Sequence, residues 1–310
     1  MKKSIIPIIF LLLCVVFLRE YVVKQEVIEY GNTSVTKEKS TGIQIIFLDI
    51  GQGDATFIIF PDGRQMLVDC SLDGRIGEAL GKYMPFHDKT IDYLVITHPD
   101  LDHYGGCIDV LRQFEVAHIL YNGSEKQGSD YFRVFTQHVE AEEAEYTIID
   151  SVVSWEIAST TLRFLYPDHN IQYNPKIPGI EKEVSTNNTS LVFLLDYGQK
   201  SMLFPGDAEH ELESYLITQY GKELDVDILK ASHHGAAGSS IIPFVKITSP
   251  VHTIFSAGRS NRYNHPSRRI IKRFERNGSK TWRTDTQGDI LIHITPLGKI
   301  YVTSEKGIPT

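Results

Sequence analysis

The chain has 310 residues, with 39 Asp or Glu against 31 Lys or Arg and a formal net charge of -8 at pH 7. That balance excludes a protein drawn to nucleic acid or anionic lipid by its overall charge, so any polyanion site must be a local patch. The length suits one large domain with a substantial core better than two independent ones.

The chain opens with Lys2 and Lys3, then the apolar run Ile5 to Leu18, then Arg19, Glu20 and Tyr21 to Val23. The run matches a signal-peptide core and falls short of a span, which needs about twenty residues, unless it continues through Val23. With no small-x-small cleavage site, residues 1–23 are expected to be an uncleaved membrane anchor, lysines inside and domain outside. A cleaved secretory leader is the alternative. Residues 24–42, with GNTSVTKEKST, read as a tether.

Strands are predicted at 43–49, 55–60 and 65–69, the last two joined by a hairpin turn at Pro61-Asp62-Gly63. Helix 74–84, strand 91–96, helix 105–114, strand 116–121 and helix 129–144 follow. The second half gives strands at 152–157, 161–166, 190–196 and 200–204, helix 208–220, strand 226–231 and a short helix near 240. Strand 251–256, helix 266–277 and strands near 289–294 and 299–303 close the domain, leaving 304–310 as a tail. Two groups of strands with interspersed helices predict an α/β fold of two central sheets covered by helices. Residues 168–188 carry Pro, Asn and Gly without a period and read as a long functional loop. Beyond Cys14, only Cys70 and Cys107 remain; buried thiols and a disulfide both fit them.

The chemistry concentrates at THPDLDHYGG, residues 97–106, which follows the apolar run Ile91 to Ile96. His98, Asp100, Asp102 and His103 then lie on one turn leaving a strand end, where two imidazoles and two carboxylates can ligate a pair of divalent cations. Asp207 ends another apolar strand in FPGD, and a carboxylate so placed can bridge two cations. Arg259, Arg262, Arg268, Arg269, Lys272, Arg273, Arg276, Lys280 and Arg283 cluster around a predicted helix, with Glu275 the only acid between 259 and 283. Such a face is a candidate polyanion rim. GxSxG, Walker and GxGxxG motifs are absent, which leaves serine-nucleophile and nucleotide-cradle chemistry without support.

The 97–106 segment resembles the HxHxDH signature of the metallo-β-lactamase superfamily in an HxDxDH variant. FLDIGQGDATFIIF (47–60), MLVDC (66–70), LFPGDAE (203–209), LKASHHG (229–235) and NRYNHPS (261–267) resemble, in the same order, the extracytoplasmic hydrolase domain of the ComEC family of DNA-uptake proteins. The resemblance runs over about 43–303 and implies one αββα sandwich. It implies His98 and Asp100 on one metal, Asp102 and His103 on a second, and Asp207 between them. His234 is the preferred ligand of the His pair, with His233 in an outer or substrate-facing place, although the order is open. Asp102, His233 and His265 are the catalytic candidates. Asp49, Asp54 and Asp69, at strand ends, are expected to hold ligating imidazoles from behind. Asn188 and Ser190 stand where other members have a further His ligand and are expected, with Arg262, Arg268 and Arg269, to meet substrate. Oxygen replacing nitrogen shifts preference from Zn²⁺ toward Mn²⁺, with Zn²⁺ still open.

The expected activity is metal-dependent hydrolysis of a phosphodiester by activated water outside the membrane, with nucleic acid as first substrate. A small-substrate envelope phosphoesterase of phosphocholine type, or a lactone hydrolase, is the alternative; a membrane-tethered binding module is the non-enzyme reading. Strand transport would need a separate channel partner.

Overall fold

The computed structural model describes residues 42–181, 185–259 and 261–307; the expected anchor at 1–23 lies outside the described residues. In chain order the first half contains β1 (Ile43–Phe47), β2 (Thr56–Ile59), β3 (Gln65–Val68), α1 (Arg75–Leu80), β4 (Thr90–Ile96), α2 (Leu101–Tyr104), α3 (Cys107–Gln113), β5 (Glu115–Tyr121), α4 (Asp130–Ala141) and β6 (Glu145–Ile148). The second half contains β7 (Val153–Ile157), β8 (Thr160–Tyr166), β9 (Val192–Tyr197), β10 (Lys200–Phe204), α5 (His210–Tyr220), β11 (Ile228–Lys230), α6 (Ile242–Thr248) and β12 (His252–Phe255). It ends with α7 (Arg268–Arg276), β13 (Lys280–Arg283), α8 (Thr284–Gln287), β14 (Ile290–Ile294) and β15 (Ile300–Ser304).

The strands form two sheets, ordered β15-β14-β1-β2-β3-β4-β5-β6 and β13-β12-β11-β10-β9-β8-β7. Their inner faces pack against each other through Phe47, Ile58, Met66 and Val95 from one sheet and Phe164, Phe193, Phe204 and Ile254 from the other. Phe204 stacks on Phe193 at 4.6 Å and reaches Phe47 at 6.2 Å, so aromatic layers cross the interface. A second apolar cluster joins the outer face of the first sheet to α1, α3 and α4, and a third joins the second sheet to α5, α6 and α7. This is the expected αββα sandwich.

Both sheets place a parallel block beside the site: β3 to β6 in one, β10 to β13 in the other. Parallel neighbours end on the same edge, where loops gather as a ligand crevice. The turns after β4, β10, β11 and β12 carry the motif residues.

Several predicted boundaries differ. Helix 105–114 begins only at Cys107, with a separate helical turn at Leu101–Tyr104 ahead of it, and Gly105 and Gly106 between them pass close to the chain: a Cβ on Gly106 would sit 2.2 Å from the Cys70 carbonyl oxygen. Helix 266–277 begins only at Arg268, with Pro266 outside it. The edge strands β6 and β13 escaped prediction, since EYTI and KTWR are only four residues each, too short for a period to stand out. The expected tail packs as far as it is described, with Ser304 paired to Ile290 and the Lys306 N–H donating to the Gln287 carbonyl.

Cys70 and Cys107 form a disulfide, across 37 residues of sequence. Of the two readings open at the start, the bonded one holds. The bridge ties the end of β3 to the start of α3, enclosing the metal-motif turn. Constraining a loop of this length in the unfolded chain stabilises by roughly 4 kcal/mol. Replacing both cysteines by Ala should therefore lower unfolding free energy in urea by about 2–4 kcal/mol, and an unchanged midpoint would refute the estimate.

Candidate metal centre

The turn after β4 is built around Asp69. Its carboxylate accepts from the Thr97 N–H (2.8 Å), the Thr97 hydroxyl (2.8 Å) and His103 Nδ1 (2.8 Å). Because a carboxylate only accepts, His103 carries its proton on Nδ1 and turns the Nε2 lone pair inward. His98 follows by elimination. Its Nδ1 lies 3.1 Å from the Thr97 hydroxyl and 3.3 Å from that of Ser190, whose own protons go to Asp69 and to the Asn187 carbonyl. Both hydroxyls can only accept from His98 Nδ1. His234 Nδ1 donates to the Ser256 carbonyl at 3.0 Å. All three tautomers thus present Nε2 to one space.

Asp207 closes that space. Its Oδ2 lies 3.3 Å from both His103 Nε2 and His234 Nε2, and 3.7 Å from His233 Nε2. The turn is possible because Gly206 takes φ +55, where a Cβ would meet Ser190 at 2.6 Å, and the Asp207 N–H donates to Ser190 Oγ at 2.9 Å. Asp102 Oδ2 lies 3.7 Å from His234 Nε2, and Asp100 Oδ2 lies 3.7 Å from His98 Nε2. Ligand atoms of Asp54, His103, Asp207 and His234 all fall within 4.8 Å of one another. The buried Nε2 atoms of His98, His103 and His234 and Oδ1 of Asp207 have no hydrogen-bond partner. Convergent orphaned lone pairs, braced from behind, fit a divalent cation.

Charge balance within the pocket is unusual. Burial pushes the His103 imidazole down, but Asp207 and Asp69 outweigh it and lift its pKa well above the ordinary value; in His234 the same contest with Asp207 and Asp54 ends at about 10. Burial raises Asp207, and His234, His103 and His233 overcome it, leaving it well below the carboxylate range. A bound cation replaces those protons. Burial, with His234 and His233 alongside, pushes His265 down to about 4, so it is neutral at pH 7.

Residues 48–259 match the Metallo-beta-lactamase superfamily. The chain belongs to that superfamily. It is 27% identical over 265 residues to ComE operon protein 3 of Bacillus subtilis, covering 80% of this chain and 32% of that protein. It is 27% identical over 244 residues to Competence protein ComA of Neisseria gonorrhoeae, covering 77% of this chain and 30% of that one. The chain thus spans about a third of the length of these relatives. Among solved structures, the metallo-beta-lactamase fold protein YhfI of Bacillus subtilis superposes with TM-score 0.53 at 10% identity, covering 84% of this chain and 99% of YhfI, a likeness of fold.

In this superfamily member the structure gathers His98, Asp100, Asp102, His103, Asp207, His233, His234 and His265 in one place. His233 and His234 occupy consecutive left-handed positions (φ 49 and 53), not an extended strand end, so both rings face the centre instead of opposite sides. Asp54 and Asp69 lie behind imidazoles, Asp69 Oδ2 2.8 Å from His103 Nδ1 and Asp54 Oδ1 3.2 Å from His234 Nδ1. Asp49 does not: its carboxylate pairs with Lys306 at 3.3 Å and its N–H donates to Asp289. Asn188 and Ser190 are buried and serve the scaffold in place of substrate. Asn188 Oδ1 accepts from the Glu209 N–H and its amide donates to Glu211, while Ser190 holds His98 and Asp207. Arg262 and Arg268 are exposed, as is Arg269, which also donates to the Ala237 carbonyl at 2.8 Å.

Two lysines escaped the sequence reading. Lys126 Nζ donates to Asp100 Oδ1 at 2.5 Å, and neither its loop nor its spacing signals this. Lys230 is buried, with Nζ 2.5 Å from Asp54 Oδ2, 3.0 Å from the Gly206 carbonyl and 3.7 Å from Asp207 Oδ1. A lysine inside the otherwise buried strand β11 was the available signal.

Metal uptake must displace protons from His103 and His234, so the apparent affinity for Mn²⁺ or Zn²⁺ should rise with pH until about pH 10, where His234 loses its proton unaided. Calorimetric titrations showing pH-independent affinity would refute this. Lys230→Met leaves Asp54 buried without its cation and should cost about 3–5 kcal/mol in chemical denaturation; a cost below about 1 kcal/mol would show that Asp54 does not depend on it.

Proposed function

We propose that this chain is a metal-dependent phosphodiesterase that takes nucleic acid as its first substrate outside the cytoplasmic membrane. The observation that carries the substrate class is the basic face of α7 beside the metal centre. Ile270, Ile271 and Phe274 anchor this helix in the core, and Arg268, Lys272 and Arg276 project into solvent. Arg273 donates to the Ser240 carbonyl, as Arg269 does to Ala237, which clips the helix to the loop following His234 without spending either charge. In a chain of net charge -8, such a face next to an array of ligands favours a polyanion.

When bound, divalent cations supply a water-derived nucleophile at neutral pH and neutralise charge on the phosphorus centre. His98, His103, His234, Asp102 and Asp207 would hold them, with Asp100 completing the set beside His98. Asp69 keeps His103, and the Ser256 carbonyl keeps His234, in the ligating tautomer. His233 and His265, on the solvent side of His234, are placed to meet substrate oxygens.

Two relatives bear names tied to competence or its operon, which supports DNA uptake as the setting. The disulfide supports an oxidising compartment. Membrane attachment would fall to residues 1–23.

The test is turnover of bis(p-nitrophenyl) phosphate and of single-stranded DNA with Mn²⁺ or Zn²⁺ supplied. Both are expected, and both should vanish in Asp207→Ala and Asp102→Ala and on chelation. Replacing Arg262, Arg268, Lys272 and Arg276 together by Ala should weaken DNA binding and flatten its salt dependence by roughly one log-log unit per lost phosphate contact. Unchanged salt dependence would favour a small envelope substrate, and no turnover of either ester would end the phosphodiesterase reading.

A further inference from the structure

Three rings lead outward from the metal centre with their planes nearly parallel, and a guanidinium follows them. The His265 ring stacks on His234 (centroids 6.4 Å apart, planes 19° apart), and Tyr263 stacks on His265 (5.7 Å, 20°). The Arg262 guanidinium carbon then lies 4.7 Å from the centre of the Tyr263 ring, and its Nη2 donates to the Tyr263 hydroxyl at 2.5 Å. The inner end of the column is a buried candidate ligand; the outer end is open to solvent, with Tyr263 51% exposed.

Packing does not explain this arrangement. Tyr263 belongs to none of the three apolar clusters. Instead its segment is braced by Asn261, whose amide donates to the carbonyls of Gly258 (2.8 Å) and His265 (2.6 Å) and whose Oδ1 accepts from the His265 N–H (2.9 Å). An exposed aromatic held in register with a metal-ligating ring is preorganised for something outside the protein.

We propose that Tyr263 and Arg262 form a stacking platform for the base of the nucleotide whose phosphate lies at the metal centre, which makes them specificity-determining residues. The inference rests on the phosphodiesterase reading and narrows it. An exposed tyrosine alone would suit either a base or the quaternary ammonium of a choline headgroup. The guanidinium on its ring decides between them: it puts a positive charge where an ammonium would have to sit, while it offers a flat partner to a base and a donor to the adjoining phosphate. The Tyr263 ring lies between His265 and the guanidinium, so the base stacks on the outer side of Arg262; such a platform reads a flat face and not a base edge, and it selects unpaired strands with little preference of sequence.

The test compares two short oligonucleotides of equal length and equal phosphate charge, one of thymidines and one of abasic sites, both with phosphorothioate linkages that resist cleavage. Fluorescence anisotropy with the full metal-loaded protein should show the thymidine strand bound roughly tenfold more tightly or better. Tyr263→Ala should bring the ratio close to one, Tyr263→Phe should keep most of it, and Arg262→Ala should lower affinity for both strands as well as the ratio. Equal binding of the two strands by the unaltered protein, or a ratio that survives Tyr263→Ala, would overturn the platform. Either result leaves the phosphodiesterase reading standing, because that reading fails on a different measurement, the absence of bis(p-nitrophenyl) phosphate turnover.

Discussion

Buried carboxylate charge is the constraint on which the rest of this molecule depends. Asp54, Asp69 and Asp207 are each almost wholly removed from water at the joint of two sheets. A carboxylate in that position costs several kcal/mol unless it is paired and hydrogen-bonded. Every nearby feature answers that demand. Thr97 and His103 hydrogen-bond Asp69, Lys230 and His234 set positive charge within 2.5 and 3.2 Å of Asp54, and three imidazoles surround Asp207. The sandwich supplies the apolar surroundings that make the charges matter, and its parallel strand ends supply the turns that bring them together.

The same demand orders the chemistry. The Asp69 carboxylate behind His103 and the Ser256 carbonyl behind His234 fix which nitrogen is free, and two hydroxyls whose protons are already committed do the same for His98. Ligand geometry therefore follows from hydrogen-bond accounting several bonds away from any cation. Lys126 and Lys230 contribute fixed positive charges on opposite flanks, one reaching Asp100 from a solvent-facing loop and the other reaching Asp54 and Asp207 from inside a strand.

Most of the fold was legible in the chain because its inner strands are continuous apolar runs ending in polar turns. The site was legible for the same reason: ligands at the ends of such runs, as in His98 to His103 and Asp207, can be read from order and spacing. What escaped had a physical cause. Edge strands such as β6 are short and bury little, so the single polar-apolar alternation in EYTI is too brief to mark one. Asn188 and Ser190 sit in a block that points to the site, yet spacing cannot tell a side chain that faces substrate from one that braces a ligand. The orientation of His233 depended on a left-handed turn, and two consecutive histidines at positive φ are not anticipated by any propensity. The Cys70 to Cys107 bridge required knowing that Gly106 lets the two strands of chain touch.

The ligand set is divided between the two layers of the sandwich. His98, Asp102 and His103 hang from the first sheet, Asp207 and His234 from the second, and Leu191 reaches across by donating its N–H to the Thr97 carbonyl. A cation gripped by both groups acts as a rivet at one rim of two stacked plates. The plates are elsewhere held by apolar side chains, which resist separation but tolerate small sliding. At this rim sliding would change every ligand distance at once, so a cation held by both groups would lock the two sheets against each other at the ligand cluster.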